Sequence, residues 1–173
     1  MKKLKFNLLT GLLLLISVSV FAAGFPPPDK VQETFQKMYP KVTTVDWQRK
    51  GDYHIADIRV DGRELNVWFS DKGKWLMTEV DVETLEAVPA AVAKAFMQST
   101  MASMQLEDVR IITFPKQPAV IVIEVEEYNT DSEFQLFYAP DGKLLQTLNV
   151  SDTGGEILSL IHISEPTRRV VIS

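Results

Sequence analysis

Two stretches of this chain carry the same pattern, and that self-similarity constrains the fold more than any other feature. Asn66-Val-Trp-Phe-Ser-Asp-Lys-Gly-Lys-Trp-Leu-Met-Thr78 and Gln135-Leu-Phe-Tyr-Ala-Pro-Asp-Gly-Lys-Leu-Leu-Gln-Thr147 each read as an alternating strand, a turn closed by Gly-Lys, and a second strand. Upstream of each lies a further extended run, Tyr53 to Val60 and Ala119 to Val125, and before that a short helix opened by proline. Repetition at this spacing argues for two copies of one helix-plus-meander unit. One copy is too small to bury a core alone, so the two are expected to share a sheet. The expected fold is α+β: tandem repeats at about 28–82 and 88–150 form one antiparallel sheet, with the helices on one face.

The expected elements are a helix over 29–38, strands near 43–50, 53–60, 63–70 and 74–82, a helix over 89–103, and strands near 107–114, 118–127, 132–138 and 143–150. In the first helix Asp29 can act as the cap with Gln32 at the third helical position, and Val31, Phe35 and Met38 share one face. Pro89 suits the first turn of the second helix, with Val92, Ala95 and Phe96 facing inward. Asp61-Gly62 is a strong two-residue hairpin signal, since a type I′ turn needs positive φ at both central positions. That turn sets a register. Val60 faces Arg63, Arg59 faces Glu64, Ile58 faces Leu65, Asp57 faces Asn66, Ala56 faces Val67 and Ile55 faces Trp68. Ala56, Ile58, Leu65, Val67 and Phe69 then point under the helices. Tyr53, Ile55 and Trp68 lie on the opposite face. The second copy transfers this pattern: Phe134, Leu136 and Tyr138 inward, Glu133, Gln135 and Phe137 outward.

Both ends read as separate from the domain. Lys2, Lys3 and Lys5, the apolar run Leu8 to Phe21, and Val20-Phe21-Ala22 make up a secretory signal over residues 1–22, with cleavage expected after Ala22. An apolar run of about 14 residues is shorter than the roughly 20 needed to span a bilayer. With no cysteine in the chain there is no lipid attachment site after the signal, no disulfide and no thiolate chemistry. No stable membrane anchor is expected, and the protein should be periplasmic or secreted. Residues 158–168, Leu-Ser-Leu-Ile-His-Ile-Ser-Glu-Pro-Thr-Arg, match the translation of a sequencing-library transposase adapter, so this stretch is expected not to be native.

Charge narrows the partners. Without the signal and the adapter-like stretch with Arg169, 13 basic residues stand against 22 acidic ones. Such an anionic domain repels nucleic-acid phosphates and anionic lipid head groups. His54 is the one histidine of the expected domain, and no G-x-S-x-G elbow or H-E-x-x-H spacing accompanies it. It is expected on the inner face near the sheet edge as a structural residue. Glu124, Glu126, Glu127 and Asp131 do not follow an EF-hand loop and fit a solvated strand edge better. The expectation is no catalytic residue, no metal and no cofactor.

The pattern Tyr-x-x-x-Asp-x-x-x-Asp-Gly…Val-x-Phe…Gly-x-Trp, carried by Tyr39-Pro40, Trp47, Tyr53, Asp61-Gly62, Val67-Trp68-Phe69, Gly73-Lys74-Trp75 and Pro89, resembles the beta-lactamase-inhibitor-like, PepSY-like proteins exported by Bacteroides-type bacteria. The resemblance covers residues 25–151. It implies a single eight-stranded antiparallel sheet with helices on one face and the other face open. The second copy departs from the pattern, with Leu144 where Trp75 stands and a divergent Ile111-Ile-Thr-Phe-Pro115 strand. Tyr53, Ile55, Trp68 and Phe137 are the candidate protein-binding residues, because outward aromatics on an open sheet face fit a recognition hot spot. They equally fit packing against strand neighbours or a terminal segment. The leading expectation is a non-enzymatic module that binds an unknown protein partner on the open face and inhibits or regulates a secreted or envelope enzyme. The alternatives are a small carboxylate-dependent hydrolase, marked by two cleft carboxylates of raised pKa, and a self-associating envelope structural protein.

Overall fold

The computed structural model describes residues 20–21 and 26–152. Its elements run β1 (Val20–Phe21), α1 (Asp29–Met38), β2 (Thr44–Lys50), β3 (Tyr53–Val60), β4 (Arg63–Ser70), β5 (Trp75–Asp81), α2 (Ala90–Met97), β6 (Gln105–Thr113), β7 (Val120–Glu127), β8 (Ser132–Tyr138) and β9 (Leu144–Asn149). From β2 to β9 each strand pairs antiparallel with the next in sequence, so the sheet is a plain meander. The two-residue β1 adds a parallel bridge to the outer side of β2, Val20 opposite Thr44 and Phe21 opposite Val45. It falls within the expected signal; the rest of that segment and residues 158–168 lie outside the described residues.

The β3–β4 hairpin has the register that its turn residues dictate. Asp61 and Gly62 both adopt positive φ, 51° and 81°. All six expected pairs, from Val60–Arg63 to Ile55–Trp68, are present. Both helices pack on the same face of the sheet. Val31 and Phe35 of α1 join Val45, Trp47, Ala56, Ile58, Val67 and Phe69 in one core cluster. Phe35 meets Trp47 edge-on at 5.3 Å between ring centroids and Phe69 at 6.4 Å. Val92 and Phe96 of α2 join Val109, Ile121, Ile123, Val125, Leu136 and Tyr138 in a second.

The helix starts differ from expectation. Asp29 is the first helical residue and caps nothing; Pro28 occupies the cap position, and its carbonyl accepts from the Val31 and Gln32 amides at 2.8 and 3.2 Å. Gln32 instead donates its side-chain amide to the Pro27 carbonyl at 2.7 Å. Pro89 plays the same part for α2, accepting from Val92 and Ala93 at 2.8 and 3.2 Å. Proline restricts φ without a free N–H, so it enters a helix at no hydrogen-bonding loss. The second helix is shorter than expected, ending at Met97, after which a 3-10 turn spans Thr100–Ser103.

Candidate functional site

Strand alternation gives the sheet a second face, away from the helices, and its side chains fall into rows set by the strand pairing. One row runs Gln48, Ile55, Trp68, Met77 across β2 to β5. Beside it runs Asp46, Asp57, Asn66, Glu79, continuing to Ile112 on β6. A third carries Asp81, Arg110, Val122 and Phe137. All four expected binding residues are on this face. Ile55, Trp68 and Phe137 meet in one apolar cluster with Met77, Ile112 and Val122, and Tyr53 packs against its edge. Tyr53 and Trp68 rings stand edge-to-face at 6.1 Å.

The expected openness of this face is corrected at its centre. Ile55, Trp68 and Phe137 retain only 6%, 7% and 1% of their surface. Tyr53, half-buried, is the most accessible of the four. These aromatics form the floor of the face, and the solvent meets a rim of Asp46, Gln48, Arg59, Glu64 and Gln146.

Next to the apolar floor lies an ion network that inspection of the sequence missed. Arg110 places Nε 2.5 Å from Asp108, Nη2 2.6 Å from Glu124 and Nη1 3.9 Å from Glu79. The Gln135 side-chain amide donates to the same Glu124 oxygen at 2.9 Å. Burial raises the pKa of Glu79, against the pull of Arg110; the Trp68 indole N–H lies close enough to Glu79 to oppose the shift yet makes no hydrogen bond of ordinary geometry. Asp108 is raised for the same reason, burial first, with Arg110 opposing. Two carboxylates of raised pKa therefore share one surface, the mark set for the hydrolase alternative. The Arg110 guanidinium binds both of them and Glu124, so it stands where a substrate would have to reach an acid–base pair.

Glu124 thus lies inside the sheet, since β7 pairs on both sides, and the expected solvated edge is corrected. The missed signal was alternation: Asp108, Arg110 and Ile112 share a face, but the six-residue connection 114–119 contains no two-residue turn to set the β6–β7 register. His54 is where the register put it, on the inner face, buried and 2.7 Å from Asp71 Oδ1 through Nε2. Among the described residues no group of three or more histidines and carboxylates is arranged to hold a metal ion.

A family model described as "Putative beta-lactamase-inhibitor-like, PepSY-like" matches residues 56–146. The chain belongs to this family. A DUF2874 family protein from Bacteroides ovatus is 43% identical and superposes with a TM-score of 0.72, covering 75% of this chain and 92% of that one. A BLIP-like protein from Bacteroides fragilis is 34% identical, with a TM-score of 0.68 over 75% of this chain and 91% of its own. A protein from Bacteroides eggerthii described as a putative periplasmic protein is 32% identical, with a TM-score of 0.70 over 73% and 91%. No curated protein matches. In this PepSY-like chain, among the described residues, no helix is long and apolar enough to cross a membrane.

Proposed function

We propose that this PepSY-like protein is an exported, non-enzymatic module that recognises a protein partner with the sheet face opposite its helices, and that the partner is a secreted or envelope enzyme. The observation that supports the reading is the apolar cluster on the outer face. A sheet covered by helices on one side needs hydrophobic residues on that side alone. Here Ile55, Trp68, Met77, Ile112, Val122 and Phe137 make a further cluster on the other. The buried aromatics shape the floor, and Tyr53, Gln48 and the charged rim make the contacts. The BLIP-like name of the Bacteroides fragilis relative and the family's inhibitor-like description support this class of function. The periplasmic description of the Bacteroides eggerthii relative supports export, together with the basic–apolar–small N-terminus. The two similar halves, each a proline-led helix followed by four strands, fit a duplicated unit whose copies share the face.

Site-directed photo-crosslinking in an exporting Bacteroides host tests the reading. A photoreactive phenylalanine at Tyr53 should capture a discrete protein, and the same residue at Gln36, exposed on α1, should not. Capture from Gln36 alone would place recognition on the helix side and overturn the proposal.

A further inference from the structure

We propose that the gap between β5 and β6 binds a small amphipathic anion, its apolar body against Trp75, Leu76 and Phe114 and its charged head at Lys74 and Lys116. The sheet splays at this point. β5 pairs with β4 from Trp75 onward, but it meets β6 only from Thr78, opposite Thr113. Beyond that pair the chain leaves the sheet through Phe114 and Pro115, and proline has no N–H with which to continue a ladder. Trp75, Leu76 and Met77 therefore have no strand beside them on that side. A cavity of about 490 Å³ occupies the gap, with Lys74, Trp75 and Leu76 on one wall and Phe114–Gln117 on the other.

The walls and the charges of this cavity point to one class of ligand. Trp75 is half-buried at the margin of the cluster under α1, and Leu76 and Phe114 are half-buried at the margin of the outer one. The edges of both clusters thus reach the surface in one place, around a space within the range of small-ligand sites, roughly 300–1,000 Å³. No carboxylate lines it, although the domain's 22 acidic residues outnumber its 13 basic ones. Lys74 and Lys116 are exposed, and among the described residues neither is in an ion pair. The Lys74 backbone is fixed by the turn: its amide donates to Ser70 Oγ at 3.2 Å and its carbonyl accepts from the Ser70 amide at 3.0 Å. Two cations without counter-ions beside an apolar cavity complement a ligand that joins a negative charge to an apolar body. The gap is closed at the Thr78–Thr113 pair and runs for only three residues of β5. An ordinary strand needs about five, so the space suits a small molecule and not an added strand of peptide.

The probe is octanoate, kept below its micelle-forming concentration, with octanol and octylamine as neutral and cationic counterparts. Each is titrated against the exported protein carrying indole nitrogen-15 labels. The Trp75 N–H, which donates to Thr78 Oγ1 at 3.0 Å beside the gap, reports occupancy. Its NMR signal should move with octanoate while those of Trp47 and Trp68 stay, and octylamine should leave all three in place. Lys74→Gln with Lys116→Gln should weaken octanoate binding about fivefold. The control pair Lys37→Gln with Lys94→Gln, exposed on the helices, removes the same charge and should cost less than about twofold. Unchanged binding in the first pair, equal loss in both pairs, or octanol or octylamine binding as tightly as octanoate would overturn the inference, as would no binding. Movement of the Trp68 signal alone would put the ligand on the outer face and overturn it too.

Discussion

Trp68 and Phe69 are neighbours that serve opposite faces, and both are buried. Orientation alone would make Trp68→Ala cheap and Phe69→Ala expensive. With both inside apolar clusters, each truncation should cost about 3–5 kcal/mol, read from urea unfolding of the two variants. A small cost for Trp68→Ala would mean that the outer cluster is not part of the cooperative unit. Glu79 makes a pH-dependent prediction. Its pKa is raised by burial in the folded state, so the protonated form favours folding. That contribution is complete below the unfolded value of 4.5 and is lost as pH rises through the higher native value. Asp57 and Asp108, also raised chiefly by burial, act in the same sense from 3.8 upward. The protein should therefore gain stability as pH falls from 7.5 toward 5, and Glu79→Gln should flatten that gain. Urea midpoints at the two pH values measure it.

At the scale of elements, the turns explain why so much of the topology was legible. Asp61-Gly62 sets the β3–β4 register because its two positive φ angles admit one hairpin geometry. Gly73 and Gly142 do a different task, each bringing a hairpin turn against the start of a helix. A β-carbon on Gly73 would sit 2.5 Å from the Lys30 carbonyl oxygen, and one on Gly142 would sit 2.5 Å from that of Ala91. Both also have positive φ, 76° and 88°. Gly73→Ala and Gly142→Ala should each destabilise by more than about 1 kcal/mol, checked by thermal melts; a neutral result would mean the helices do not rest on these turns. Strand periodicity placed Tyr53, Ile55, Trp68 and Phe137 on one face because alternation is local. It could not show their burial, which depends on side chains from β5, β6 and β7 meeting theirs. Arg110 escaped notice for the related reason that two of its three carboxylates, Glu79 and Glu124, come from the neighbouring strands β5 and β7, and only Asp108 from its own.

The whole molecule is one meandering sheet with a structural face under the helices, and the proposed recognition role falls to the face opposite. Export is its first requirement. Intact-mass measurement of the protein from the periplasm or medium should give a chain beginning at Ala23, and a chain beginning at Met1 would contradict it. On the proposed reading, partners meet the outer face. The chain holds three tryptophans, and they divide between the faces. Trp47 and Trp75 belong to the cluster under α1, whereas Trp68 belongs to the outer one. With indole nitrogen-15 labelling, NMR gives one N–H signal for each. On addition of the partner captured through position 53, the Trp68 signal should move and those of Trp47 and Trp75 should stay. Movement of Trp47 or Trp75 with Trp68 unchanged would contradict the account.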